Sequence, residues 1–88
     1  MTVKMTERYG ERALKINGRA VYVTRITSIE RASRAIWRGT ASGYAFLIEG
    51  GKAAGGSSRD WWVEWDLLGG PAIRVNSFVD AVRLIENS

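Results

Sequence analysis

The sequence predicts one α+β domain over residues 1–88, an antiparallel sheet of about five or six strands with a C-terminal helix packed on one face. Three features support this class: an Asn-Gly pair between two alternating runs, a tryptophan-rich segment that also alternates, and a capped amphipathic segment near the C-terminus. A chain of 88 residues is long enough for one domain. Because such a domain buries only about 60–65% of its unfolded surface, its core is expected to be small.

The composition excludes several kinds of chemistry. The chain has neither cysteine nor histidine, so it has no disulfide, no usual zinc ligand and no imidazole- or thiol-dependent nucleophile. We therefore expect no catalytic residue, no metal and no cofactor. No apolar run reaches the length of a membrane span, and no signal-peptide core is present, so we expect no membrane contact and a cytoplasmic location.

The N-terminal part begins with a polar segment and continues with a hairpin. Residues 1–10 have no clear period and are predicted to be a loose leader that is ordered only if it docks on the rest of the domain. Asn17-Gly18 lies between the alternating runs 11–16 and 19–26, and this pair is typical of a type I′ turn because both positions need positive φ. That turn places Leu14 opposite Val21, Ile16 opposite Arg19 and Arg12 opposite Val23. The predicted core face holds Leu14, Ile16, Val21 and Val23.

Residues 27–39 allow two interpretations. A helix would begin at Ser28 and end at Gly39, whereas a strand over 35–40 would pair with the apolar run 44–49. We favour the strand and leave open a helical turn before it. Several arginines stay exposed in either case.

Residues 50–58 are rich in glycine and serine and are predicted to form a flexible loop between two strands. The loop does not match a phosphate-binding pattern, because Gly51-Lys52 is followed by Ala53. In the strand that follows, alternation places Trp61, Val63 and Trp65 on the core side. Trp62 falls on the other side with Glu64 and Asp66, which we interpret as a solvated acidic face. Whether Trp62 is covered stays open.

The C-terminal segment reads as a short strand, 72–76, followed by a helix. Ser77 is the predicted N-cap, with Asp80 at the third helical position. Phe78, Ala81, Val82 and Ile85 recur at helical spacing and are predicted to pack on the sheet. Arg83 and Glu86 are expected on the solvent side.

Charge is unevenly distributed along the chain, whose net charge is +4. Residues 12–38 contain seven basic residues and one acidic residue, and arginine predominates. Arginine binds phosphates and carboxylates through a planar fork, so this half is a candidate contact surface. The candidate partner-binding residues are Arg25, Arg31, Arg34, Arg38, Lys52, Arg59 and Trp62.

The main functional hypothesis is a non-enzymatic binding module, a small accessory or inhibitor protein that occupies a surface on a protein or nucleoprotein partner. Small phage- or plasmid-encoded accessory proteins, including anti-CRISPR inhibitors, share this profile of length and composition. The alternative is a small nucleic-acid-binding domain that uses residues 12–38, with Tyr22 and Trp37 as stacking platforms. The sequence leaves the identity of the partner and the oligomeric state open.

Overall fold

The structure is a computed structural model that describes all 88 residues. It contains eight strands, all paired antiparallel, and one α-helix, so the α+β class is confirmed. The elements are β1 (Val3–Arg8), β2 (Glu11–Ile16), β3 (Arg19–Val23), β4 (Ile26–Ser33), β5 (Ile36–Ala41), β6 (Tyr44–Gly50), β7 (Trp61–Trp65), β8 (Ile73–Val75) and α1 (Phe78–Asn87). The helix has ten residues, and it is too short to cross a membrane.

The strands divide into two sheets, where the sequence suggested one sheet of about five or six strands. The first contains β1, β2 and β3 in that order, and the second runs from β4 to β8 in chain order. The division falls at Thr24-Arg25, because β4 pairs with β5 and not with β3. The helix packs on the five-stranded sheet through β7 and β8.

The predicted hairpin is confirmed. Asn17 and Gly18 have φ values of 51° and 83°, as a type I′ turn requires. Leu14 pairs with Val21, Ile16 with Arg19 and Arg12 with Val23. On the predicted core face Leu14, Ile16 and Val23 are buried and Val21 is half-buried.

Residues 3–8 of the predicted leader are docked on the hairpin and form a strand, which is the condition under which order was expected. Val3–Arg8 forms β1 and pairs along its whole length with β2, so that Val3 lies opposite Ile16 and Met5 opposite Leu14. Val3 and Met5 are half-buried against the core. The segment is ordered because the free edge of the confirmed hairpin offers it a complete ladder of hydrogen bonds.

Residues 27–39 form two strands without a helical turn. The strand interpretation of 35–40 is correct, since β5 pairs with β6 as expected. The open alternative of a helical turn before it is wrong, because residues 26–33 form β4 and pair with β5. Two register shifts interrupt that pairing, and they obscure the alternation by which a strand is recognised.

Residues 51–60 connect β6 to β7 and include one turn of 3₁₀ helix at Lys52–Ala54. The ends of this loop lie close together, since the Gly51 N–H donates to the Asp60 carbonyl at 2.8 Å. The flexibility expected of residues 50–58 stays a prediction.

A single core joins both sheets and the helix, in one cluster of 14 buried residues. The helix buries Phe78, Ala81, Val82 and Ile85, as predicted. Its N-cap is also confirmed, because the Ser77 Oγ accepts the Asp80 N–H at 3.0 Å.

The tryptophan-rich strand faces this core as predicted. Val63 and Trp65 are buried, and Trp61 is half-buried against the core. The Phe78 ring meets Trp37 and Trp61 edge to face, with centroid distances of 5.6 and 5.5 Å. Such pairs contribute about 0.5–1.5 kcal/mol beyond the area they bury.

The expected solvent exposure holds for Arg83 but not for Glu86. Glu86 is half-buried, and its carboxylate accepts hydrogen bonds from backbone amides in the link between the two sheets. Helical spacing places Glu86 at the border of the apolar face of the helix. A side chain at this border is covered only when another segment of the same chain packs beside it.

Candidate functional site

The five-stranded sheet has one face packed on the core and one face without a covering element. Strand register assigns the outward side chains, and we call this surface the open face. Its exposed members are Ser28, Glu30, Arg38, Ala45, Leu47, Glu49, Trp62, Glu64 and Arg74. Trp62 is not covered by another element, since 42% of this residue is exposed.

The centre of the open face is apolar. Leu47, with 40% exposure, lies on β6 beside Trp62 on β7. Leu47 pairs with Glu64, and Glu49 pairs with Trp62, so the two apolar residues are diagonal neighbours across the strands. These four side chains line a shallow depression of about 100 Å³. We call Trp62 and Leu47 the apolar pair.

Charged groups surround the apolar pair. At one end the Arg38 Nε donates to the Glu30 Oε1 at 2.8 Å, and both side chains are largely exposed. At the other end the Arg74 Nη2 donates to the Asp60 Oδ1 at 2.8 Å. Glu49 and Glu64, which flank the apolar pair, form no salt bridge. Arg74 lies directly opposite Trp62 on β8 but is paired with Asp60, so Glu49 and Glu64 are the charged neighbours of Trp62 that have no ion-pair partner.

Asp60 lies at the rim of this face, and its pKa is lowered in the folded protein. The hydrogen bond from the Arg74 side chain lowers the pKa of Asp60 below its usual 3.8. Hydrogen bonds from the Ser57 backbone N–H and hydroxyl lower this pKa further. The ionised carboxylate of Asp60 thus links the end of the β6–β7 loop to Arg74 on β8.

The predicted arginines do not gather on one surface. Arg38 reaches the open face, but Arg25 lies in the β3–β4 link, where its Nε donates to the Glu86 carbonyl at 3.2 Å. Arg12 is also engaged with backbone, because its Nη2 donates to the Thr24 carbonyl at 2.7 Å. Arg12 and Arg25 therefore link distant parts of the chain, and their guanidinium groups are engaged within the fold.

Arg31 and Arg34 lie at the turn between β4 and β5. The Arg31 Nη2 donates to the Arg34 carbonyl at 2.7 Å, and its guanidinium lies 5.4 Å from the centre of the Trp37 ring. Trp37 is 5% exposed, so its ring is not available as a stacking platform. Lys52 and Arg59 are exposed in the β6–β7 loop, away from the sheet centre.

Sequence reasoning found Trp62 but missed Leu47, Glu49 and Arg74. The signal for Leu47 was present, because a strand with Phe46 and Ile48 inward must direct Leu47 outward. The pairing of β7 with both β6 and β8, which brings these residues around Trp62, is a long-range property that no local pattern contains.

No group of three or more Asp or Glu side chains is arranged to hold a metal ion. Comparisons with protein-family models, with curated proteins and with solved structures gave no match for this chain. The candidate site consists of an exposed apolar pair, two unpaired carboxylates beside it, and an ion pair at each end.

Proposed function

We propose that this protein is a non-enzymatic binding module that occupies a surface on a partner protein through its open face. The observation that supports this most is the exposure of the apolar pair at the middle of an uncovered sheet. Tryptophan is enriched among the residues that dominate binding energy, and such residues lie near the centre of an interface with polar groups around them. Trp62 has this position on the open face.

The chemistry around the apolar pair specifies the kind of partner. The depression beside Trp62 has a volume of about 100 Å³, whereas small-molecule pockets typically hold about 300–1,000 Å³. A side chain of a partner protein fits this space better than a free ligand. Because Glu49 and Glu64 are unpaired, we propose that the partner presents an apolar group flanked by lysine or arginine.

The role that fits such a module is that of a small accessory or inhibitor protein in the cytoplasm, acting on a protein or a nucleoprotein complex. Support for this role comes from composition, because a chain without histidine or cysteine lacks the usual nucleophile and acid–base residues. Blocking a partner's surface needs neither of them.

The proposal is tested by co-purification from the native host with three tagged forms: the wild type, Trp62→Ala and Leu68→Ala. Leu68 is 45% exposed in the β7–β8 turn and belongs to no candidate surface, so it is an apolar control of similar exposure. The captured protein is identified, purified and titrated against each form. Trp62→Ala is expected to weaken binding at least about 30-fold, as a hot-spot residue does, and Leu68→Ala to leave it unchanged.

A second variant tests the expected attraction between the open face and a cationic partner. Replacing Glu64 by Lys is expected to weaken the same complex because it opposes the partner's cations. A partner that binds wild type and Trp62→Ala equally well contradicts the proposal.

A further inference from the structure

The three-stranded sheet holds two lysines in an unfavourable arrangement. Lys4 of β1 lies directly opposite Lys15 of β2. Among all cross-strand pairs with two charged members it alone has like charges, since the others are Glu7–Arg12, Arg8–Glu11 and Glu30–Arg38. Like charges placed directly opposite each other destabilise a strand pair. A bound anion between the two ammonium groups would offset this cost.

No group of the protein neutralises this lysine pair. The two salt bridges of the chain, Arg38–Glu30 and Arg74–Asp60, both lie on the other sheet. Lys4 and Lys15 are both exposed. With side chains that alternate along each strand, both lysines project from the side of the sheet that faces away from Leu14 and Ile16, which are buried in the core. We call this side the lysine face.

The lysine face also carries an exposed aromatic ring. Tyr22, which is 71% exposed, lies on β3 in the row next to the lysine pair, about 7 Å along the strands by their rise. Ala13 and Ala20 form a floor of small residues between Tyr22 and Lys15. These residues line a shallow depression of about 600 Å³ together with Thr6, Glu7, Arg8, Tyr9 and Glu11. Each of the two carboxylates lies opposite an arginine, since Arg8 pairs with Glu11 and Glu7 with Arg12.

We infer that the lysine face binds single-stranded nucleic acid, with a phosphate held between Lys4 and Lys15 and an adjacent base stacked on Tyr22. Aromatic platforms beside a cationic groove are the general means by which proteins bind unpaired strands. A protein or membrane partner is less well matched, because the depression beside Tyr22 is lined by alanine, threonine, tyrosine and charged residues and includes no large aliphatic anchor. A flat sheet face can contact the unstacked bases of a single strand more readily than it can enter the groove of a duplex.

This inference uses a different sheet from the proposed protein-binding site and does not depend on it. Of the basic and aromatic residues in the arginine-rich half suggested by the sequence, only Lys15 and Tyr22 lie on this face. Lys4 comes from the segment that was expected to be a loose leader.

The experiment is fluorescence anisotropy of labelled oligo(dT) and oligo(U) titrated with the purified full-length protein over a salt series. The double variant Lys4→Gln/Lys15→Gln is compared with the control Lys52→Gln/Arg83→Gln, which removes the same charge from the loop and the helix. Binding by the wild type is expected at about 50 mM salt. The slope of log K against log salt should fall by about 0.7 in the double variant, because the lysine pair holds one phosphate and each single-strand phosphate contact contributes about 0.7. The control should keep the wild-type slope.

Two further readouts separate binding from folding. The double variant should melt at or above the wild-type temperature, because the substitution removes the repulsion between the lysines. Tyr22→Thr should weaken binding roughly 10-fold with an unchanged salt slope, because it removes stacking and no charge.

Several outcomes would overturn the inference. These are the absence of any oligonucleotide binding at low salt, an equal loss of slope in the control, a lowered melting temperature in the double variant, and equal affinity for duplex and single strands. Binding to phosphatidylserine-containing vesicles without oligonucleotide binding would assign the face to a membrane surface instead.

Discussion

Glu86, in the last turn of the helix, accepts the backbone N–H of Ile26 through its Oε2 at 2.8 Å. The same carboxylate accepts the N–H groups of Thr24 and Arg25, so it binds three successive amides in the link between the two sheets. Arg25 donates in return to the Glu86 carbonyl. One side chain therefore joins the C-terminal end of the helix to the place where the chain passes from the first sheet to the second.

Replacing Glu86 by Gln should destabilise the fold by roughly 2 kcal/mol, because hydrogen bonds to a charged group contribute about 1.5–3 kcal/mol. The amide keeps one acceptor oxygen but turns a donor toward the backbone N–H groups. The measurement is urea denaturation followed by tryptophan fluorescence. Glu64→Gln is the matched control, because Glu64 is exposed and forms no hydrogen bond or salt bridge through its side chain. Equal stability of the two variants would show that the Glu86 contacts contribute nothing.

Gly39 is required by close packing between strands. A Cβ at this position would lie 2.0 Å from the Ser28 carbonyl oxygen and 2.6 Å from the Phe46 ring. Because backbone and a buried ring cannot both move away, Gly39→Ala should destabilise the protein by about 3 kcal/mol or more, at the upper end of overpacking effects. Thermal and urea unfolding measure the loss.

The control for this prediction is Gly43→Ala. Gly43 has a φ of 82° and no atom within 4 Å of an added Cβ, so only backbone strain opposes the substitution. That strain costs about 1–2 kcal/mol for an L-residue in the left-handed region. A larger loss at Gly43 than at Gly39 would contradict the assigned packing of β4, β5 and β6.

Local sequence patterns correctly predicted the first hairpin and the C-terminal helix. Asn17-Gly18 fixed the register of the first hairpin, because a two-residue turn leaves no freedom in the pairing. Ser77 and the spacing from Phe78 to Ile85 fixed the helix and its buried face. Trp62 was correctly assigned to the side of its strand that points away from the core.

The remaining features depend on contacts between distant parts of the chain. The segment before Tyr9 forms a strand only because β2 offers a free edge, and β4 is disguised by its register shifts. The sequence suggests that the arginines of residues 12–38 form one contact surface, but Arg12 and Arg25 bind backbone carbonyls. The candidate face on β6 and β7 required knowledge of strand order, which alternation does not supply.

The Asp60–Arg74 contact should make stability depend on pH. The pKa of Asp60 is lowered in the folded protein, mainly by the hydrogen bond from Arg74. Its contribution is therefore complete above the unfolded pKa near 3.8 and is lost as the pH falls through the lower folded value. Asp60→Asn should be less stable than the wild type at neutral pH, and the two should converge in acid. Urea midpoints across the acid range measure this, and a difference that persists at the lowest pH would contradict it.

Trp62 should account for most of the solvent-accessible tryptophan fluorescence. It is 42% exposed, whereas Trp37 and Trp65 are 5% and 3% exposed and Trp61 is half-buried. Acrylamide should therefore quench the native protein chiefly at Trp62, and Trp62→Phe should remove most of the quenchable fraction. Because an exposed aromatic in a strand is replaced by another, the unfolding free energy should change by less than about 0.5 kcal/mol. A large loss of stability, or unchanged quenching, would mean that this ring packs within the molecule and is not available to a partner.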